Sequence, residues 1–251
     1  MSHAYWDASQ GRADFERMIA GLAGARAGDI LLLHGCCHNP TGAGFSLTEW
    51  QAIAGLCKDR KITPFIDLAY QGLGDGLDED ATGLRLLLSI VDEALIAYSC
   101  DKNFGLYRER VGALWIKTGS STATRIGRSA MLALARALWS MPPDHGAAIV
   151  RTVLEDNQLA NEWRHELAGM RARLGEVRTM LAAVDPLFAP IGEQRGLFAL
   201  LPLSATDVAA LRDRHAIYLA PDGRANLAGL VPDTINRFAL AVLSQVGISK
   251  P

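Results

Sequence analysis

Short, continuous apolar runs recur in the first half of the chain, and they constrain its fold more than any other feature. They lie at residues 29–34, 62–67 and 94–97. Runs of this length without polar alternation are typical of strands buried on both faces of a parallel sheet. A further strand is predicted at residues 111–117.

Amphipathic segments separate these runs. Ser46 and Glu49 have the spacing of a capping box, which predicts a helix that reaches about Lys58. A second helix is predicted from Ala81 to about Val91. Strands that alternate with helices in this way indicate βαβ units and an α/β layered domain.

The pattern changes after Pro142 and Pro143. Apolar residues then recur at spacings of four and three from Trp163 to Leu181, which predicts one long amphipathic helix. The remainder of the chain mixes strand and helix patterns and indicates a smaller α+β domain. We therefore expect two domains, residues 1–157 and 158–251, with the long helix leading into the second.

Composition excludes several classes of function. The chain has 251 residues and a formal net charge of -2, so charge gives no reason to expect nucleic acid or an anionic membrane as a partner. No apolar stretch approaches the roughly 18 residues of a membrane span. The polar start at residues 1–3 does not lead into a signal-like apolar segment, so we expect a cytoplasmic protein.

The cysteines do not follow a common metal-binding spacing. Cys36, Cys37, Cys57 and Cys100 form no CxxC pair, and a cytosolic chain should keep them reduced. Histidines flank the first two, which raises the possibility of a metal site. Neighbouring residues on a strand point to opposite faces, however, so we expect no metal there.

Polar residues follow three of the predicted strands. Asn39, Asp67 and Lys102 each come after a different strand, and Tyr70 follows Asp67 closely. Ligands of parallel α/β sheets bind beyond the carboxyl ends of the strands, so these side chains should converge on one crevice.

Lys102 is the most informative residue in this set. Positive charge such as that of Arg110, together with partial burial, depresses the pKa of a lysine, and a neutral amine can form a Schiff base. Pyridoxal phosphate needs such an amine, a carboxylate for its ring nitrogen, and cationic and hydroxyl partners for its phosphate. The alternatives are a solvated Lys102 and an Asp67 that caps a turn or helix.

Several segments resemble the aspartate and aromatic amino-acid aminotransferases of fold type I. They are residues 34–42, 67–72, 99–112 and 223–229, and the match runs in order over nearly the whole chain. The resemblance implies the carboxyl-terminal portion of a pyridoxal-phosphate-dependent transferase fold. That fold has a mostly parallel α/β sheet with helices on both faces, plus a small α+β carboxyl-terminal domain.

The resemblance also implies how individual residues hold the cofactor. Lys102 matches the lysine that forms the Schiff base with pyridoxal 5'-phosphate and then moves the substrate proton. Asp67 matches the partner of the ring nitrogen. Asn39 and Tyr70 match residues that hydrogen-bond the ring hydroxyl oxygen, and Tyr70 is also counted with the catalytic residues.

Further roles concern the phosphate and the substrate. Ser99 and Arg110 match phosphate anchors, and Arg224 matches the arginine that grips the substrate α-carboxylate, with Asn39 and Phe198 nearby. Arg136 aligns with an arginine that reaches the neighbouring subunit's site, so a homodimer is expected. Arg110 and Arg224 could instead be surface ion-pair partners, and Arg136 could simply decorate a helix.

The chain departs from the family pattern in two places. Asp101 stands where many relatives carry a small hydroxyl residue, and its carboxylate would repel the phosphate unless it turns away or a cation intervenes. The chain also begins in what resembles the middle of the large domain, without the phosphate loop and the stacking aromatic residue. We expect this polypeptide alone to bind the cofactor weakly and to transaminate poorly.

The leading hypothesis is a ping-pong aminotransferase. It would move an amino group from an aspartate-like or aromatic L-amino acid to a 2-oxo acid. The alternative is a catalytically impaired fragment that acts only as a structural or interaction protein. A third possibility is another fold type I lyase or decarboxylase.

Overall fold

A computed structural model describes residues 5–247; the polar start at residues 1–3 lies outside this range. The strands of the described residues form three sheets. These strands are β1 (Trp6–Asp7), β2 (Arg12–Ala13), β3 (Ile30–His34), β4 (Thr63–Leu68), β5 (Ala94–Ser99), β6 (Gly112–Lys117), β7 (Phe198–Leu200) and β8 (Arg224–Asn226). The main sheet has the order β3-β4-β5-β6, and the pairs β1-β2 and β7-β8 are antiparallel.

Helices account for most of the other described residues. They are α1 (Phe15–Gly21), α2 (Leu47–Arg60), α3 (Glu79–Ile90), α4 (Ser121–Trp139), α5 (His145–Glu155), α6 (Asn157–Ala182), α7 (Ala189–Glu193), α8 (Ala205–His215) and α9 (Pro232–Val246). Short 3₁₀ turns occur at Pro186–Phe188 and Leu227–Gly229. No described helix combines the length and the apolar character that crossing a bilayer requires.

The predicted βαβ units are confirmed for β3, β4 and β5, which are parallel and are connected through α2 and α3. The next strand differs, because β6 pairs with β5 in the antiparallel direction. Residues 100–111 reverse the chain without a helix, and Gly105 and Arg110 adopt positive φ angles there. The repeat therefore ends at the segment that carries Lys102.

The capping box at Ser46 is confirmed. The Ser46 hydroxyl accepts a hydrogen bond from the Glu49 amide at 3.2 Å, and the Glu49 carboxylate accepts one from the Ser46 amide at 2.7 Å. Helix α2 extends to Arg60, slightly beyond Lys58, and helix α3 begins at Glu79 rather than at Ala81.

Helices lie on both faces of the main sheet, as expected. One face buries Leu33, Ile66 and Ile96 against residues of α2 and α3. By register, Leu32 and Ile116 lie on the opposite face, where Gly127 of α4 approaches Ile116. That face is less complete, since Leu32 of the outer strand β3 is 56% exposed.

Helix α6 joins two hydrophobic cores and confirms the predicted long helix. Leu167 and Leu174 pack with Leu73 from the sheet side, whereas Val177 and Leu181 belong to the core around α8 and α9. Because α6 contributes to both cores, the division into residues 1–157 and 158–251 stays a prediction.

Candidate active site

Three loops meet at the carboxyl ends of the parallel strands. His34 ends β3 and pairs with Asp67 near the end of β4, and Ser99 ends β5 shortly before Lys102. Asn39 follows β3 in the next loop. The sheet topology therefore places Asn39, Asp67 and Lys102 at one edge, as the sequence predicted.

Asn39 links the sheet side of the site to the carboxyl-terminal side. Its Nδ2 donates a hydrogen bond to the Tyr70 hydroxyl at 3.2 Å, and its Oδ1 accepts one from Arg224 Nη1 at 2.9 Å. Burial raises the pKa of the Tyr70 hydroxyl above its usual value, and the hydrogen bond from Asn39 opposes this rise. The phenol is thus held in place and kept protonated at neutral pH.

Two cations face two aromatic rings in the same place. Lys102 Nζ lies 5.0 Å from the centroid of the Tyr70 ring, and the Arg224 guanidinium carbon lies 5.1 Å from that of Phe198. The two rings meet edge to face with centroids 6.2 Å apart. Such cation–ring contacts are attractive, so an amine, a guanidinium, a phenol and an amide line one crevice.

The Asp67 carboxylate lies close enough to influence the groups around it. Its charge raises the pKa values of His34 and Tyr70, although burial has the larger effect on each; burial lowers the pKa of His34. The Nδ1 atom of His34 accepts a hydrogen bond from the Asn39 amide at 3.2 Å. Asp67 therefore lies near His34 and Tyr70, the two residues that hydrogen-bond Asn39 from the sheet side.

Asp101 has the neighbouring cation that the sequence analysis considered. Arg110 Nη1 lies 2.6 Å from Asp101 Oδ2, so a cation does intervene beside this carboxylate. The Ser99 hydroxyl accepts a hydrogen bond from the Asp101 amide at 3.1 Å. Asp101 is buried, whereas the Arg110 side chain is 74% exposed, so the outer part of Arg110 remains accessible to an anion.

Arg136 stands apart from the other predicted residues. It is an exposed residue of α4, and no hydrogen bond or ion pair of the described residues joins its side chain to the others. The structure thus brings together Asn39, Asp67, Tyr70, Lys102, Phe198 and Arg224, with Ser99 and Arg110 beside them, and leaves Arg136 outside.

Asn103 and Trp163 position the Lys102 loop, and sequence reasoning missed both. The buried Asn103 amide donates to the carbonyl oxygen of Gln71 at 3.2 Å and to the Tyr98 hydroxyl at 2.7 Å. Trp163 donates to the carbonyl oxygen of Asn103 at 2.7 Å, and its ring stacks on Phe104. The only sequence signal was the position of Asn103 immediately after Lys102.

Arginines on α6 hold three loops of the site, and sequence reasoning missed these as well. Arg171 donates to the carbonyl oxygen of Gly72, just after Tyr70. Arg173 donates to the carbonyl oxygens of Ala228 and Leu230. Arg178 is buried and donates to four carbonyl oxygens between Ile191 and Phe198, at 2.7–3.1 Å.

Comparison with known proteins gives a consistent result. The family model for aminotransferase class I and II matches residues 1–242. The tyrosine aminotransferase of Rhizobium meliloti is 46% identical over 233 residues, which are 91% of this chain and 60% of the relative. The aspartate aminotransferase of Escherichia coli is 39% identical over 248 residues, 96% of this chain and 62% of the relative.

Solved structures of aminotransferases also resemble this chain. An aromatic-amino-acid aminotransferase from Burkholderia pseudomallei, covalently bound to pyridoxal phosphate, superposes with a TM-score of 0.92 at 35% identity. The superposition covers 98% of this chain and 63% of that one. The chain thus spans about three fifths of the length of the relatives that it matches.

Proposed function

Because the chain belongs to the class I and II aminotransferase family, we propose that its crevice binds pyridoxal phosphate and transfers amino groups. The observation that carries the proposal is the joint placement of Lys102, Tyr70, Asn39 and Arg224. The activity, the substrates and the partners given below are proposals as well, because the chain spans only part of the length of its relatives.

The residues of the crevice fit the cofactor by their donors and acceptors. Asn39 Nδ2 has two hydrogens and uses one toward Tyr70, while the Tyr70 hydroxyl accepts this bond and keeps its own proton to donate. Both groups could therefore bind the anionic ring oxygen of the cofactor. The Asp67 carboxylate would hold a proton on the ring nitrogen, and Ser99 and Arg110 would bind the phosphate.

The protein's own groups carry out the proton movements. Pyridoxal phosphate, when bound, supplies an electron-accepting ring that eases removal of a proton from the substrate α-carbon. Lys102 Nζ would be the covalent attachment point and would then carry this proton. Arg224 bonds Asn39 through Nη1 alone, so the rest of its fork can bind a carboxylate of the substrate, with Phe198 packed beneath it.

The substrates follow from the family and from the names of the relatives. We propose an aspartate-like or aromatic L-amino acid as donor and a 2-oxo acid as acceptor, in a ping-pong reaction. The cytoplasmic location is also a proposal, supported by the relative from Oryza sativa named as a cytoplasmic aspartate aminotransferase.

A homodimer is the proposed assembly. Helix α4 has no buried residue, yet it carries exposed Ile126, Leu134 and Leu138 together with Arg136. An exposed apolar helix face of this kind is typical of a contact between subunits. The family resemblance implies that Arg136 reaches the partner's substrate, and its separation from the crevice of its own chain is consistent with that role.

Amino transfer to a 2-oxo acid tests the proposal, with aspartate and tyrosine as alternative donors and added cofactor. We expect transfer by the wild type and by Lys58→Ala, an exposed control on α2, and none by Lys102→Ala. Transfer that survives Lys102→Ala would contradict the proposal. Cofactor binding at Lys102 without transfer would favour the catalytically impaired fragment, and release of carbon dioxide or ammonia would favour a lyase or decarboxylase.

A further inference from the structure

Two adjacent thiols and a carboxylate form a cluster beside the proposed cofactor site. The ligand atoms of Cys36, Cys37 and Asp80 all lie within 4.8 Å of one another. The expectation that the two cysteines point to opposite faces is wrong. Strand β3 ends at His34, and Cys37 has a left-handed φ of 49°, so the alternation of a strand does not apply to this pair.

Asp80 is fixed in the cluster by its backbone contacts. Its Oδ2 accepts hydrogen bonds from the amides of Gly72 and Gly74 at 2.7 and 3.0 Å, and its Oδ1 accepts one from Asp75 at 2.8 Å. The residue is buried in the first turn of α3. Oδ1 accepts a single hydrogen bond and keeps a further lone pair, so Asp80 offers a fixed oxygen atom as a ligand for a metal ion.

Glycines keep side chains away from the cluster. A Cβ atom at Gly74 would lie 2.4 Å from Asp80 Oδ1 and 3.0 Å from Cys37 Sγ. A Cβ atom at Gly196 would lie 3.1 Å from the same sulfur. The carboxylate and the thiols therefore face one another with no side chain from either glycine between them.

We propose that Cys36, Cys37 and Asp80 bind one thiophilic divalent cation, of the class to which Zn²⁺ and Cd²⁺ belong. Thiolate sulfur and carboxylate oxygen are both ordinary ligands of such ions. Binding forms two sulfur–metal bonds and one oxygen–metal bond, releases the two thiol protons to solvent and transfers no electron. The site uses none of the residues proposed to hold pyridoxal phosphate.

The Cys36 thiol is protonated before the ion arrives. A hydrogen bond with Cys37 and burial both raise the pKa of Cys36 above its usual value. A bound divalent cation attracts the sulfur atoms and displaces the thiol protons.

Titration of the reduced, metal-free chain with Cd²⁺ tests this proposal. We expect one ion per chain, with the ultraviolet charge-transfer absorbance of cadmium–thiolate bonds. Cys37→Ser should weaken binding by at least about tenfold, since loss of a ligand exceeds the effect of losing a supporting contact. Cys100→Ser is the matched control, because Cys100 is buried outside the cluster, and it should bind like the wild type.

Alkylation of the wild type makes the test independent of how the variants fold. Bound Cd²⁺ should protect Cys36 and Cys37, but neither Cys57 nor Cys100, as read by mass spectrometry of the peptides. Thermal unfolding checks that Cys37→Ser is folded, and Cys36→Ser serves as the second variant. Absence of the charge-transfer band, unchanged affinity in folded Cys37→Ser, or equal protection of all four thiols would overturn the proposal.

Discussion

At the residue scale, the ion pair between Asp101 and Arg110 competes with phosphate binding. The guanidinium that would bind the phosphate lies 2.6 Å from the Asp101 carboxylate. A phosphate bound here must share the Arg110 guanidinium with the Asp101 carboxylate. The cost is moderate rather than large, because Arg110 is mostly exposed and solvent screens the interaction.

Asp101→Ser should therefore strengthen cofactor binding. It removes the competing charge and frees Arg110, and a gain of about 1 kcal/mol corresponds to roughly fivefold tighter binding. Fluorescence titration with pyridoxal phosphate measures the change. Asp78→Ser is the control, because Asp78 forms an exposed pair with Arg85 away from the site. Equal affinities for wild type and Asp101→Ser would show that Arg110 does not bind the phosphate.

The partly buried His34 should make the stability of the folded chain sensitive to acid. Burial lowers its pKa in the folded chain, so the unfolded chain takes up a proton first as the pH falls. Stability is then complete above the unfolded histidine value of about 6.5 and falls as the pH drops below it. A proton on Nδ1 would also abolish the hydrogen bond from the Asn39 amide.

The melting temperature should therefore fall less in His34→Gln than in the wild type between about pH 7.5 and pH 5.5, a range that brackets the histidine pKa. His165→Gln, an exposed histidine of α6, should behave like the wild type. A His34→Gln variant with the full acid sensitivity of the wild type would contradict this account of His34.

Part of the site could be predicted from the residues alone. Asn39, Asp67 and Lys102 each follow an apolar run, and parallel strands bring their carboxyl ends together. Arg224 and Phe198 lie far along the chain, so only the family resemblance connected them with the site. The roles of the α6 arginines could not be predicted, because these side chains donate to backbone carbonyl oxygens. Every residue has such an oxygen, so the partner segments carry no sequence signal.

At the element scale, α6 is the support on which the site depends. Arg178 satisfies four carbonyl oxygens of the segment that carries Phe198, and the guanidinium is itself buried. Burial lowers its pKa to about 10, which reflects the cost of removing the charge from water. Its hydrogen bonds offset that cost and fix the loop against α6.

Arg178→Met should lower the free energy of unfolding by about 2–4 kcal/mol, because it leaves buried carbonyl oxygens without donors. Arg164→Met is the control on the same helix, where the arginine is exposed, and it should change stability by less than about 0.5 kcal/mol. Urea unfolding followed by circular dichroism measures both. Equal midpoints for the two variants would contradict the proposed role of Arg178.

The elements were predictable where local signals were strong. The capping box at Ser46 and the apolar periodicity of α6 each placed a helix from nearby residues alone. The direction of β6 was not predictable, because pairing depends on how residues 100–111 fold back rather than on the strand's own composition. Helix α4 also lacked a prediction of its own, and none of its residues is buried.

At the scale of the whole molecule, apolar surface remains exposed on α4. Leu138 is 65% exposed although α4 lies against the main sheet. Single exposed apolar residues are common, but several on one helix favour an interface. The proposed homodimer would bury this face.

Leu138→Glu should weaken the dimer, because a buried, unpaired carboxylate is costly at an interface. Sedimentation velocity should show the wild type as a dimer and the variant shifted toward monomer. Leu240→Glu is the matched control, since Leu240 on α9 is 64% exposed and lies outside α4. A wild-type monomer, or dimers in both variants, would contradict the proposed interface.

The central claim, that Lys102 is the attachment point of pyridoxal phosphate, has one direct test. The chain is incubated with less than one equivalent of cofactor, reduced with borohydride and mapped by mass spectrometry. The account predicts that the label lies on Lys102, ahead of Lys58, Lys61, Lys117 and Lys250, and that Lys102→Ala loses it. Label spread equally over these lysines, or unchanged in Lys102→Ala, would contradict the claim.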